Sequence, residues 1–311
     1  MRIVLIGQQA FGKAVLEAFL ARGEDIAGVF CTPEKPGSRP DVLRLAARER
    51  GLGVLEFASL RSPQASEALA GLNAQIAIMA YVLQFASQEF VTTPRYGTIQ
   101  YHPSLLPRYR GPSSINWPII RGEAMTGLTI FRPTDRLDEG PIVLQKTAAI
   151  GPDDTLGTVY FERLFPMGVQ ALLQAADLVL AGGAKETVQD DFQASYEGWC
   201  RAGEAQINWH YHLDFVYNLV RGCNPAPGAW TTLAGRKLQI FDARKHPARS
   251  FAQVKGKPGQ ITQIGQDSMH VSAHGGQLEV FKVKAEGGKK MSAAQFCADA
   301  PLTIGTVLGA P

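Results

Sequence analysis

The chain has 311 residues, 45% of them hydrophobic and 19% charged, which is the composition of an ordinary globular protein with room for two domains. Its 31 basic and 28 acidic residues give a net charge of +3, and so weak a balance argues against a broad nucleic-acid-binding surface. The four cysteines are far apart in sequence and lack CxxC spacing, which predicts reduced thiols rather than a disulfide framework or a zinc site.

The amino terminus begins with a short apolar run, RIVLIG, which a polar turn follows. The run is too short for a secretory signal, and no stretch of the sequence reaches the roughly 18 to 20 apolar residues of a membrane helix. We therefore expect a buried first strand and a cytoplasmic protein.

The first half of the sequence alternates short apolar runs with helical patterns. Strands are predicted at RIVLIG, DIAGVF (25–30), AQIAIMAY (74–81) and GTIQYH (97–102), and helices over residues 10–23 and 40–51. This alternation predicts βαβ units and a Rossmann-like, mostly parallel sheet that helices cover on both faces. Ligands of such sheets bind beyond the carboxyl ends of the strands, where His102 ends the fourth predicted strand.

The second half changes from mixed to all-β patterns. Two more strands (126–133 and 141–150) precede a long helical stretch over about 153–182, and then a polar, glycine-bearing segment follows. From PAPGAW (225–230) short alternating runs predict a small β-barrel. The predicted organisation is an N-terminal α/β domain over 1–183, a linker over 184–205 and a C-terminal β-barrel domain over 206–311.

Two motifs approach known binding sites without matching them. GQQAFGKA resembles the phosphate loop GxxxxGK[ST], but Ala14 occupies the position of the magnesium-binding hydroxyl, so a triphosphate site is not expected. The loop still opens a helix, and Gln8 there is a candidate contact for an anion, with a plain strand–helix turn as the alternative. His210 and His212 have HxH spacing without a nearby acidic or cysteine ligand, which favours an exposed helix start over a metal site.

His102 has candidate partners in the loop RPTDRLDEGPIV (132–143). That loop carries Asp135, Asp138 and Glu139, and Gly140 permits a tight approach of the backbone. A carboxylate beside an imidazole fixes the ring's tautomer, which suits general acid–base or electrophilic catalysis. A purely structural contact between histidine and aspartate is the alternative.

YHPSLLPRYRGPSSINW (101–117), together with TIFRPTDRLDEGPIVLQK (129–146), resembles the folate-dependent formyltransferase family. INW (207–209) and RGCNPAPGAW (221–230) extend the resemblance over nearly the whole chain. It implies that His102 and Asp138 are the catalytic pair, that 10-formyltetrahydrofolate is the co-substrate, which leaves as tetrahydrofolate, and that no metal takes part.

Within this family the resemblance is strongest to the N-terminal hydrolase domain of 10-formyltetrahydrofolate dehydrogenase, through the IGQ start, RLFPMG (163–168) and PGAW. There the domain precedes a carrier and an aldehyde dehydrogenase domain, which have no counterpart before Pro311. Methionyl-tRNA formyltransferases are the next candidate, but they carry a longer basic loop than CTPEKPGSRPDV (31–42). Amino-sugar formyltransferases share the core, and a folate-binding module without chemistry is the non-enzyme alternative. The expected acceptor is water or a small amine, with Met-tRNA as a weaker acceptor.

The resemblance also implies the surroundings of the catalytic pair. Family transferases place an asparagine two residues before the histidine, where it helps to hold the formyl oxygen, whereas this chain has Gln100 and an amide one methylene further out. The folate is expected between residues 79–85 and 133–140, with these contacts: Tyr81, Leu83, Gln84, Phe85, Asp135 and Gly140. Leu83 and Phe85 can instead be core residues. Arg108 and Arg110 are candidates for the glutamate tail or an acidic acceptor, or are solvated loop residues.

Overall fold

A computed structural model describes residues 1–309, which form two compact units. Unit 1 comprises residues 1–111, 127–148 and 163–196, and unit 2 comprises residues 112–126, 149–162 and, within the described range, 197–309. The chain therefore passes between the units several times before its C-terminal third. The domain limits taken from the sequence, at residues 183 and 205, remain a prediction.

A seven-stranded sheet with the order β3-β2-β1-β4-β5-β6-β7 forms the centre of unit 1. Its strands are β1 (Arg2–Gly7), β2 (Asp25–Cys31), β3 (Val54–Glu56), β4 (Ile76–Ala80), β5 (Thr98–His102), β6 (Met125–Phe131) and β7 (Ile142–Ala149). The strands β1 to β5 are parallel, whereas β6 is antiparallel to β5 and pairs Thr129 with His102. The predicted mostly parallel sheet is confirmed. The strand order reverses between β1 and β4, where such sheets open a crevice at their carboxyl edge.

Helices cover both faces of this sheet, and several of them begin at a side-chain cap. The α-helices of the chain are α1 (Gln9–Ala21), α2 (Val42–Glu49), α3 (Pro63–Gly71), α4 (Gln88–Thr92), α5 (Asn116–Ile120), α6 (Leu156–Thr158), α7 (Phe165–Leu180), α8 (Leu213–Gly222) and α9 (Ala293–Asp299). Asp41, Ser62 and Ser87 accept hydrogen bonds from the first free N–H groups of α2, α3 and α4. One apolar layer joins β1, β4 and β5 to α1 and α7, and a second lies on the opposite face around Phe30 and Phe90.

The stretch predicted as one helix over 153–182 is interrupted. It consists of α6, a π-helical turn over Val159–Leu164, and α7. Pro166, in the first turn of α7, lacks the N–H that an uninterrupted helix would need there. The elements β3, α3 and α4 were not predicted, because three to nine residues give too little periodicity for the sequence pattern to register.

Unit 2 contains the predicted antiparallel strands, in two four-stranded sheets with the orders β10-β13-β12-β11 and β15-β14-β9-β8. The strands are β8 (Ala229–Leu233), β9 (Arg236–Ile240), β10 (Ala243–Pro247), β11 (Ile261–Ile264), β12 (Met269–Ala273), β13 (Gly276–Val280), β14 (Lys282–Ala285) and β15 (Met291–Ser292). The chain changes sheets at Phe281, whose N–H donates to the Asp242 carbonyl at 2.8 Å. Over residues 1–309 the pairing is that of two sheets and does not close into one ring.

The core of unit 2 lies between these strands and the helices α8 and α9. His212 is the N-cap of α8 and accepts a hydrogen bond from the Asp214 N–H, so the HxH pair lies at a helix start as predicted. Within residues 1–309, no cluster of three histidine, cysteine or acidic side chains has an arrangement that could ligate a metal. In the same range, no helix combines the length and the apolar character that crossing a bilayer requires.

Candidate active site

His102 is the last residue of β5 and is only 6% exposed. Its Nε2 lies 2.8 Å from the carbonyl oxygen of Tyr109. A carbonyl can only accept a hydrogen bond, so Nε2 carries the proton in this contact. The other ring nitrogen, Nδ1, faces Asp138 at 3.6 Å from its Oδ2. One nitrogen is thus fixed by the chain itself, and the second is directed at the carboxylate.

Asp138 lies in the loop between β6 and β7 and is 8% exposed. Its Oδ2 accepts a hydrogen bond from the Gly111 N–H at 2.8 Å. The separation of 3.6 Å from Nδ1 exceeds a hydrogen bond, so a small reacting group can bond to both side chains. The two residues that the sequence singled out, 36 positions apart, are therefore brought together at the carboxyl edge of the sheet.

The turn after His102 is held by buried hydroxyl groups. Ser104 donates to the Arg108 carbonyl at 2.7 Å, and Thr129 on β6 donates to the Ser104 carbonyl at 2.7 Å. Thr129 also accepts from the Leu106 N–H at 3.1 Å. Tyr109, whose carbonyl meets His102, has a φ of +60°, an uncommon conformation for a residue other than glycine. These bonds fix the backbone that orients the imidazole.

Gly140 is required by a close approach of two backbone segments. A Cβ atom there would lie 1.6 Å from the carbonyl oxygen of Arg132, the residue that enters the same loop. The loop that carries Asp138 can therefore close on itself only with glycine at this position. The structure gives Gly140 a role in loop shape, whereas the sequence had proposed it as a folate contact.

The residues after β4 present apolar side chains outward. Tyr81 is 44% exposed with a φ of +65°, and Leu83 and Phe85 are 55% and 49% exposed. The alternative that Leu83 and Phe85 are core residues is therefore wrong. Gln84 differs from them, because its amide donates to the carbonyls of Phe57 and Ala58 at 3.0 Å each and so holds the loop to the chain.

A crevice opens beyond the carboxyl ends of β1, β2 and β4, where the strand order reverses. It is lined by Gly7 and Gln8 at the start of α1, by Cys31 and Thr32 after β2, and by the residues that follow β4. Burial raises the pKa of the Cys31 thiol to about 11, so this thiol is protonated at neutral pH and is a poor nucleophile.

Arg61 contacts both loops between which the folate was expected. Its Nη2 donates to the Asp135 carbonyl at 3.4 Å, and its guanidinium carbon lies 5.0 Å from the centre of the Phe85 ring. The Asp135 side chain itself is exposed. The 81–85 and 133–140 loops therefore border one region of the surface.

The remaining predicted residues, Gln100, Arg108 and Arg110, differ in their exposure. Gln100 is half-buried and lies two positions before His102 on β5, hence on the same face of the sheet. Arg108 is exposed, with its guanidinium 5.3 Å from the centre of the Tyr109 ring. Arg110 is only 1% exposed and donates to Tyr196 at 2.6 Å and to Asp191 at 2.8 Å. Arg110 is therefore neither solvated nor open to an acceptor, which corrects the expectation from the sequence.

Sequence reasoning missed the segment that supports this loop. The Ser195 carbonyl accepts from the Arg110 N–H and its hydroxyl accepts from the Tyr109 N–H, both at 2.8 Å, and buried Gln189 contacts the Asp138 loop. Both residues lie in polar sequence interpreted as a linker. Nothing in their local pattern distinguishes them, because their partners are about 50 to 90 positions away along the chain.

Comparison with known proteins gives the same family for both parts of the chain. The formyl transferase model matches residues 1–176, and the model of the formyl transferase C-terminal domain matches residues 201–301. Cytosolic 10-formyltetrahydrofolate dehydrogenase of Mus musculus is 36% identical over 314 aligned residues, which cover 95% of this chain and 34% of that protein. The chain thus spans about a third of the length of the first curated relatives it matches.

Two further comparisons cover most of this chain. Methionyl-tRNA formyltransferase of Geobacter metallireducens is 32% identical over 99% of each chain. The crystal structure of HypX from Aquifex aeolicus in complex with tetrahydrofolic acid superposes with a TM-score of 0.66, at 17% identity, over 96% of this chain and 47% of that one. The resemblance that the motifs suggested is confirmed: the chain belongs to the formyl transferase family.

Proposed function

We propose that the chain uses 10-formyltetrahydrofolate and releases tetrahydrofolate by passing the formyl group to water or to a small amine. The observation that carries this proposal is the buried pair of His102 Nδ1 and Asp138 Oδ2, 3.6 Å apart at the carboxyl edge of the sheet. Family membership supports formyl chemistry. The Mus musculus relative is named as a 10-formyltetrahydrofolate dehydrogenase, and the HypX structure of similar fold is a complex with tetrahydrofolic acid.

The folate fits best between the 81–85 and 133–140 loops. Exposed Tyr81, Leu83 and Phe85 offer apolar surface for a flat bicyclic ring, and ligand sites of this kind combine such surface with a few polar groups. Arg61 contacts both loops and so connects the two sides of the site. Gln84 and Gly140 also determine the shape of these loops, and both stay in the proposed set of folate contacts, since Gln84 lines the crevice as well.

In the reaction, the nucleophile attacks the formyl carbon and a tetrahedral oxyanion forms. To stabilise this oxygen, His102 donates from a protonated Nδ1, because its Nε2–H is already bonded to the Tyr109 carbonyl. Asp138 accepts the proton of the attacking water or amine and returns it to N10 as the bond from carbon to N10 breaks. With water as the nucleophile, the products are formate and tetrahydrofolate. No step needs a change of redox state.

Methionyl-tRNA formyltransferase is the second candidate, because the Geobacter relative matches over 99% of both chains. The loop over 31–42 argues against methionyl-tRNA formyltransferase activity. Glu34 pairs with buried Arg44, and Asp41 caps α2, which leaves Lys35 and Arg39 as the exposed cations of the loop. Each phosphate contact contributes roughly one unit to the salt dependence of log affinity, and two cations supply few such contacts.

An acceptor screen tests these proposals. Release of tetrahydrofolate from 10-formyltetrahydrofolate is followed with water alone, with an amino sugar and with Met-tRNA. We expect turnover with water or the amine, and weak use of Met-tRNA at physiological salt. Efficient formylation of Met-tRNA would favour the second candidate, and tight folate binding without any turnover would favour a binding module.

A further inference from the structure

Asp138 has a backbone conformation that its neighbours must maintain. Its φ is +54°, and a residue other than glycine in this region costs about 1–3 kcal/mol unless the surrounding structure holds it. Both carbonyls that flank this turn are bonded by one side chain. The Nε2 of Gln189 donates to the Asp138 carbonyl at 2.8 Å and to the Gly140 carbonyl at 2.7 Å.

Gln189 is itself fixed on its other side. It is 6% exposed, and its Oε1 accepts from Nε of Arg110 at 3.1 Å and from Nη2 at 2.9 Å. Every polar atom of this amide is therefore used. The orientation of the amide is determined as well, because only its nitrogen can face the two carbonyls and only its oxygen can face the guanidinium.

These contacts close a ring around Asp138. Arg110 precedes Gly111, whose N–H donates to the Asp138 carboxylate at 2.8 Å. Starting from this carboxylate, the ring runs through Gly111, the Arg110 side chain and Gln189 to the Asp138 carbonyl. The carboxylate and the backbone of one residue are thus held from two directions by the same set of bonds.

The segment that carries Gln189 is attached at both ends. Thr187 exchanges two backbone hydrogen bonds with Ile142 on β7, at 2.8 and 2.9 Å. At the other end, the Ser195 N–H donates to the Pro107 carbonyl at 3.2 Å, in the turn that follows His102. Residues 187–196 therefore join the loop of Asp138 to the loop of His102.

We propose that Gln189 is a positioning residue that sets the distance between Asp138 and His102. The role rests on the proposed function of this pair, but the arrangement it describes can be measured without turnover. Gln189 touches neither member's reacting atoms. It acts through the backbone of Asp138 and through Arg110.

Gln189→Glu tests this role. The change keeps the shape of the side chain and an acceptor for Arg110, and it removes the N–H donors to the two carbonyls. We expect kcat for tetrahydrofolate release to fall about tenfold, or about 1.4 kcal/mol in activation free energy, with KM changed less than threefold. Gln193→Ala is the matched control, because Gln193 lies on the same segment, is exposed, and bonds to Asp190 in its own turn through both its side chain and its N–H.

A double-mutant cycle separates positioning from a general structural role. If Gln189 acts through Asp138, then Gln189→Glu changes nothing further in an Asp138→Ala background. Hydrogen exchange of the Gly111 amide is the second readout, since its protection depends on the Asp138 carboxylate. We expect faster exchange in Gln189→Glu and parental exchange in Gln193→Ala.

The outcomes distinguish the two proposals. Parental kcat and parental Gly111 exchange in Gln189→Glu, or full additivity with Asp138→Ala, would overturn the positioning role. Faster Gly111 exchange in a protein whose parent never releases tetrahydrofolate would support the positioning role and overturn the proposed function. If Gln189→Glu does not fold, Gln189→Met is measured in its place with the same expectations.

Discussion

Two loops follow neighbouring parallel strands at the same edge of the sheet, yet they are built in opposite ways. The loop after β5 is mostly buried, with Arg108 as an exposed exception, and hydrogen bonds hold it at several residues from Ser104 to Gly111. The loop after β4 presents Tyr81, Leu83 and Phe85 to solvent, each between 44% and 55% exposed.

We infer from this difference that the two loops have different functions. Chemistry needs groups held within a fraction of an ångström, and the bonded loop provides this for His102. Binding of a flat organic ring needs apolar surface that is still accessible, and the 81–85 loop provides that. Variants in the loop after β5 and in the loop of Asp138 should therefore change kcat. Variants in the 81–85 loop should change the affinity for tetrahydrofolate.

The largest effect is expected from the reacting pair. His102→Ala and Asp138→Ala should each lower kcat by about 10²–10³, because each removes a group that acts on the developing charge. Tetrahydrofolate affinity should stay within about tenfold. Single-turnover kinetics and fluorescence titration measure the two quantities separately. Arg136→Ala, in the same loop but with an exposed side chain, is the control. Parental turnover in His102→Ala or in Asp138→Ala would show that the substituted residue does not belong to the catalytic pair.

Gly140→Ala should destabilise the loop that carries Asp138. A methyl group 1.6 Å from the Arg132 carbonyl forces the backbone apart, and overpacking of this kind costs about 3 kcal/mol in the free energy of unfolding. Urea denaturation monitors the change. Gly71→Ala at the end of α3 is the matched control, because a Cβ there meets nothing within 4 Å. Equal stability of both variants would mean that the close approach does not constrain the loop.

A smaller effect is expected on the binding side of the comparison. Leu83→Ala and Phe85→Ala should each weaken tetrahydrofolate binding by about threefold to tenfold, with kcat unchanged, because they remove apolar contact and leave His102 in place. Phe192→Ala, whose side chain is fully exposed elsewhere on unit 1, should bind like the parent. A fall in kcat with parental affinity would reverse the roles of the two loops.

The smallest effect is expected at position 100, which lies on the same face of β5 as His102. Gln100→Asn restores the shorter amide that family transferases place there, and should shift the product ratio from formate toward formylated amine by about twofold to threefold, which is under 1 kcal/mol. The ratio is measured in one reaction with a small amine in excess. An unchanged ratio would show that residue 100 does not select the acceptor.

The sequence predicted the parts of this site that local pattern encodes. The strand that ends at His102, the loop with Asp138 and Gly140, and the mostly parallel sheet follow from apolar periodicity and from the positions of glycine and proline. The residues of the 81–85 loop were predicted through the family resemblance, but whether Leu83 and Phe85 are exposed or buried was left open. Burial depends on what packs against a loop, and the loop's own residues do not specify it.

Other features depend on contacts between distant positions. Arg110 was expected either to contact the glutamate tail or an acidic acceptor or to be a solvated loop residue. In the structure it is buried against Gln189, Asp191 and Tyr196, 79 to 86 residues away. A polar segment that satisfies buried donors has the same composition as a linker, so its sequence cannot distinguish the two.

The place of residues 187–196 in the chain has a consequence for how the protein is synthesised. All seven strands of the central sheet are complete by Ala149, and α7 ends at Leu180. A nascent chain can therefore form its sheet before residues 187–196, which join the loop of His102 to the loop of Asp138, have left the ribosome. Closing a connection of about 80 residues costs little more entropy than closing a shorter one, but it comes late in folding. The reactive pair should thus acquire its final spacing in one of the last steps of folding of unit 1.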